Sequence, residues 1–152
     1  MSRRHGAVAL VLVLGACASA PVSTPAGVTW PAWEPAHDLP AAGARLDGRP
    51  GTEGGTILRA ASAAIASGTP YRFSLEHCGI LSPIDVDGSF WEPIDGVASD
   101  GRPIDLAVDG EMINATAGVI VVIGDEARFR TDSGTVVRLE RSGIEKEFPG
   151  CD

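Results

Sequence analysis

The chain has 152 residues, 12 of them basic and 20 acidic, for a formal net charge of −8 at pH 7. An acidic surface with no basic cluster repels nucleic acid and anionic lipid headgroups, so nucleic acid is excluded as a partner. The length suits one small domain plus a leader.

Along the chain, the first sixteen residues divide into three parts. Arg3 and Arg4 make a positive start, and residues 7–14 (AVALVLVL) form an unbroken apolar run. The run is far too short to span a bilayer, which takes about 20 residues, but it suits the core of a signal peptide. Leu14-Gly15-Ala16-Cys17 then resembles the lipobox of bacterial lipoproteins: a branched apolar residue, two small residues and a cysteine. The resemblance implies that the Cys17 thiol receives a diacylglyceryl group and that the chain is cut just before it. Residues 1–16 would be the signal peptide, and the protein would be exported and held to the cell membrane by lipid. Losing Arg3 and Arg4 would take the net charge from −8 to −10. The competing reading, ordinary cleavage after Ala18-Ser19-Ala20, places Pro21 at a first mature position that the peptidase tolerates poorly.

Residues 17–55 read as a tether. Six of the eleven prolines fall there, with alanine, glycine and serine around them. Such composition offers little apolar surface to offset ordering entropy. Trp30 and Trp33, in Trp-Pro-Ala-Trp-Glu-Pro, stand out. They either dock a partner from a polyproline-like segment, fold back onto the domain, or rest at the lipid interface.

A compact β-rich domain is expected over 56–152. It opens with a short helix at 56–67, capped by Thr56 and ended by Gly68 and Pro70, with Ile57, Leu58, Ala61, Ala64 and Ile65 on one stripe. From Pro70 the period changes to two. Tyr71, Phe73 and Leu75 alternate with polar residues; Ile84 and Val86 continue the signal, and Ile104, Leu106 and Val108 suggest a further strand. The late stretch 118–141 reads as a meander. Gly124-Asp125 suits a two-residue turn and Asp132-Ser133-Gly134 a three-residue turn with glycine left-handed. Together these turns set Ile120 opposite Phe129, Val122 opposite Ala127, Phe129 opposite Val137 and Ala127 opposite Leu139. They also set Arg128 opposite Arg138 and Glu126 opposite Glu140, leaving the diagonals Arg128–Glu140 and Glu126–Arg138 to compensate. Val119, Val121 and Ile123 make the first strand apolar on its outer face too. A closed barrel, a second sheet or the helix should cover it. The fold class is mainly β, a small antiparallel barrel or sandwich with one short N-terminal helix.

With Cys17 assigned to lipid, Cys78 and Cys151 remain as an even pair in an oxidising compartment and are expected to form a disulfide. The alternative, a thiol activated by His77, suffers because adjacent strand residues point to opposite faces. Pro-Ile-Asp at 83–85, 93–95 and 103–105 reads as hairpin punctuation. Asp85-x-Asp87-Gly88 looks like the start of a calcium loop. However, Phe90 sits where the sharp turn wants glycine and Gly96 where the closing glutamate belongs, so Asp85 and Asp87 are weak metal candidates. The sequence has no His/Cys spacing of zinc type, no phosphate-binding glycine loop and no nucleophile elbow, and no cofactor is expected.

Glu76-His77-Cys78-Gly79 followed by Asp87-Gly88-Ser89-Phe90-Trp91-Glu92-Pro93 resembles small exported actinobacterial proteins with a His-Cys-Gly segment. The resemblance spans roughly 70–151 and implies one compact β domain with Trp91 as a core or rim anchor. The leading functional expectation is a non-enzymatic envelope module that binds another protein or an envelope component. Trp30, Trp33, Phe90 and Trp91 would be its binding residues. The alternatives are a small-ligand or ion-binding β-barrel and an envelope hydrolase using paired carboxylates.

Overall fold

A computed structural model describes residues 29–35, 37–39 and 43–151; the expected signal peptide and Cys17 lie outside these. In chain order the strands are β1 (His37–Asp38), β2 (Arg45–Pro50), β3 (Thr56–Arg59), β4 (Tyr71–Leu75), β5 (Ile84–Val86), β6 (Ser89–Val97), β7 (Thr116–Ile123), β8 (Glu126–Thr131), β9 (Val136–Gly143) and β10 (Glu145–Phe148). Single 3-10 turns occupy Gly79–Leu81 and Gly110–Ile113. Seven strands form one curled sheet in the order β1-β4-β7-β8-β9-β6-β5, an open half-barrel, and β10-β3-β2 form a second, smaller sheet. The fold is therefore mainly antiparallel β, with an incompletely closed barrel.

The meander forms in the register its turns require. Ile120 faces Phe129, Val122 faces Ala127, Phe129 faces Val137 and Ala127 faces Leu139. Gly124 and Gly134 supply the positive φ, at 63° and 105°. All six apolar residues are at most 3 % exposed, and with Trp91, Ile84, Val86, Leu75 and Met112 they make one core. On the outer face Arg128 lies opposite Arg138 and Glu126 opposite Glu140. Of the two expected diagonals, Glu126 to Arg138 forms at 3.3 Å. Arg128 instead pairs with Glu126 of its own strand at 3.0 Å and places its guanidinium 4.1 Å from the centre of the Trp30 ring.

Trp30 belongs to the cover of the outer face. Val119 and Val121 are buried there, and Trp33, Glu34 and Pro35 line a shallow hollow with Val119, Arg130 and Asp132. The expected helix does not form and the barrel does not close. The chain ahead of β1 folds back instead, as one reading of Trp30 and Trp33 had it. A second part of the stretch read as tether, 45–50, is strand β2, paired with β3.

The helix expected over 56–67 does not form. Thr56–Arg59 is strand β3, hydrogen-bonded to a neighbour on both edges. Beyond it the amides of Ala61, Ser62 and Ile65, which a helix would use internally, donate instead to the carboxylates of Asp85 and Asp87. A twelve-residue helix is marginal in water on its own, so such competing acceptors decide the matter. The strand expected through Ile104, Leu106 and Val108 is also absent. Asp105 turns the chain by accepting at its carbonyl from Val108 and Asp109, and only an isolated bridge from Pro103 to Val97 remains.

Strands β9 and β10 are nearly continuous in sequence but lie in different sheets. Gly143, at φ 135°, makes the bend between them, a conformation that side-chain-bearing residues rarely adopt. Cys78 and Cys151 form a disulfide with their Cα atoms 6.3 Å apart, tying the chain after β10 to the turn after β4.

Candidate functional site

The half-barrel leaves a seam between its edges, and an open cleft of about 380 Å³ lies there. Strand β4 supplies Phe73, Ser74 and Leu75 to one wall, continued by Glu76. Pro83, Ile84 and Asp85, at the start of β5, form the other. Leu58 of β3 and Phe148 of β10 bring the small sheet to the cleft. The period of two explains why Phe73 and Leu75 share a face. Leu58, expected on the apolar stripe of a helix, and Phe148, which no local pattern announces, both arrive through pairing of β3 with β10.

The expected binding residues fall elsewhere. Phe90 and Trp91 are 0 % exposed, so neither is a surface anchor, and β6 is covered on both faces at this point. The Trp91 indole N–H donates to the Val86 carbonyl at 2.8 Å, and the Arg141 guanidinium lies 4.4 Å from the ring centre. Trp91 is thus a core anchor. Trp30 and Trp33 are half-buried against the meander.

Asp85 and Asp87 are brought close together but serve the fold. Asp85 is buried, and its carboxylate accepts from the Ala61 amide at 2.7 Å, the Ser62 amide and the Ser62 hydroxyl at 2.5 Å. Asp87 accepts from the Ile65 amide at 3.1 Å and from Arg141 at 3.2 Å. These acceptors pin the 60–66 segment to the β5–β6 hairpin, leaving little free lone-pair capacity for a cation. Among the described residues no group of three or more His, Cys, Asp or Glu side chains could hold a metal ion. Replacing Asp85 by alanine is expected to strand buried donors and cost on the order of 2–3 kcal/mol. The Ala61 and Ser62 amides should then exchange with solvent far faster than those of β7. Unchanged exchange there would contradict the clamp.

Five carboxyl groups are held below the ordinary range. The hydrogen bond from Arg102 lowers Asp109, and that from Arg72 lowers Asp132. Arg59 and then Arg49 lower Glu145, and the Glu53 amide leads the donors that lower Glu147. At Glu126 desolvation pushes upward, but hydrogen bonds from Arg128 and Arg138 together outweigh it. Such groups stay ionised at neutral pH, the reverse of what a general acid needs. Because their folded pKa values lie below the unfolded ones, the stability they contribute is fully present above about pH 4–4.5. That stability is lost as pH falls through the folded values. Melting temperature should therefore hold from neutral pH down to about 5 and drop below about 4; a melt unchanged at pH 3 would contradict this.

Among the described residues no helix is long and apolar enough to cross a membrane. Against protein-family models, curated proteins and solved structures the chain matches none, so the cleft and the exposed seam of the half-barrel are what its function is read from.

Proposed function

We propose that this is an exported lipoprotein, anchored through Cys17, whose domain binds another protein of the cell envelope through the seam cleft. The observation that carries the binding reading is the cleft itself, open to solvent and walled by Phe73, Leu75, Ile84, Leu58 and Phe148. The Cys78–Cys151 disulfide supports export, since such bonds persist in oxidising compartments. With Trp30 held against the meander, the stretch between Cys17 and Thr29 reaches at most about 40 Å fully extended. A lipid at Cys17 would keep the domain close to the bilayer rather than on a long tether.

The test is a photo-crosslinking residue at position 76, an exposed site on the lip of the cleft, in native membranes. One reproducible protein, captured from position 76 and not from the opposite sheet edge, supports the reading. Intact mass of the membrane-extracted chain tests the anchor, and an unmodified terminus at Pro21 overturns it. A second reading, a small apolar ligand, is favoured by the cleft volume, which lies within the range of ligand pockets. Capture of a small molecule alone would replace the first reading with this one.

A further inference from the structure

Resting on that binding reading, we propose that the edge of β4 beyond Arg72 takes up a partner protein as an extended, apolar segment flanked by basic residues, adding it as a strand. Strand β1 pairs with β4 only at His37–Tyr71 and Asp38–Arg72. Its last bond runs from the Leu39 amide to the Arg72 carbonyl at 3.2 Å. Along one edge of an antiparallel pair, alternate residues turn both main-chain groups toward the partner or away from it. The Arg72 carbonyl serves β1, so Ser74, two residues on, also points away from β7. Its neighbour across the ladder agrees: the Ala117 carbonyl accepts from the Asp132 amide at 3.1 Å, on the far side of β7.

The N–H and C=O of Ser74 therefore face the seam. No described residue bonds to either, and Ser74 is exposed. Had the β1 ladder continued, the Ser74 amide would donate to the Leu39 carbonyl, and it does not. An unpaired main-chain pair at the edge of a sheet is a template for an incoming strand. At the other edge strand, β5, the outward-facing residue Asp85 is buried and its carboxylate holds the 60–66 segment, whereas Ser74 is exposed.

The surroundings define the occupant. A strand laid along β4, in a cleft that Leu39, Gly43 and Ala44 also border, sets its alternate side chains beside Phe73 and Leu75, against Leu58 and Phe148. Among the described residues the cleft is lined by the acids Glu76 and Asp85 and by no arginine or lysine, on a chain of net charge −8, so cationic flanks complement it. A lipid acyl chain would fill the apolar walls and leave the Ser74 donor and acceptor without partners.

The experiment selects binders to the oxidised full-length chain from displayed random twelve-residue peptides, then follows the best of them in solution. Expected are sequences alternating apolar residues beside Lys or Arg, whose binding slows hydrogen exchange at the Ser74 amide. Ser74→Pro removes the donor and should weaken binding about tenfold, whereas Ser74→Ala keeps it and should bind like the parent. Glu76→Lys should weaken the basic peptides most. If Ser74→Pro perturbs folding by circular dichroism, peptides N-methylated at alternate residues replace it and should lose binding. Several results overturn strand addition: no enriched peptide, binding without protection of Ser74, or indifference to both backbone changes. So does a concentration-dependent dimer abolished by Ser74→Pro, since the occupant is then a second copy. Capture of a protein from position 76 together with any of these leaves the binding reading standing and removes strand addition alone.

Discussion

Replacing Trp91 by alanine should cost roughly 3–5 kcal/mol from the lost ring and the cavity it leaves, and about 1 kcal/mol more from the lost indole hydrogen bond to the Val86 carbonyl. The indole is 0 % exposed, and its N–H is bonded to that carbonyl at 2.8 Å. Its ring packs beneath Arg141, which is itself held by Ser89 at 2.7 Å, so the substitution also loosens the β6–β9 pairing. A small domain is stable by about 5–15 kcal/mol, so the variant should be near the edge of folding. Its thermal transition should fall by on the order of 20 °C. Trp91→Phe separates the two contributions: it refills most of the cavity but lacks the indole hydrogen bond, and should fall between parent and alanine. A Trp91→Ala variant within 1 kcal/mol of the parent in urea titration would refute the assignment of Trp91 as a core anchor.

Removing the disulfide, as Cys78→Ser with Cys151→Ser or by reduction, should cost roughly 4 kcal/mol. The bridged residues are 73 apart in sequence, so the open chain regains the entropy of a long loop. The loss should not be uniform. Strand β10 is anchored to the half-barrel by the bend at Gly143, by the Lys146–Glu92 ion pair at 2.6 Å, and by the bridge just beyond its end. Exposed ion pairs contribute about 0–1 kcal/mol, so Lys146–Glu92 cannot replace the bridge. Amides of β10, β3 and β2 should therefore exchange first in the reduced protein, while those of β7 and β8 stay protected. Uniform loss of protection across both sheets would show that the small sheet has no separate dependence on the disulfide. Since the cleft includes Leu58 and Phe148 of that sheet, reduction should also weaken any partner held there.

The contrast between the meander and residues 56–67 shows what made parts of the fold legible. In the meander, turn chemistry and alternation point to the same register, and each partner lies within a few residues. In 56–67, capping residues and an apolar stripe point to a helix, but the groups that override it are remote. Asp85 and Asp87, more than twenty residues away, take the amides, and β10, some ninety residues on, takes the strand edge. The same two aspartates look like cation ligands in isolation and become acceptors for a loop once the chain folds. Phe90 and Trp91 were readable as important aromatics, but their sequence carries no sign of which covering makes them core.

Sequence alone determined the β class, the turns of the meander and the apolar identity of its core face, because these depend on local backbone preference and a period of two. It also carried the pairing of Cys78 with Cys151, on the expectation of an oxidising compartment. Tertiary structure alone decided that the half-barrel stays open, that Trp30 and Trp33 lie against the meander, and that the Ser74 main chain faces the seam with no partner among the described residues. Those features rest on which edges and faces find partners, and that is set by contacts between segments far apart in the chain, which no local pattern encodes.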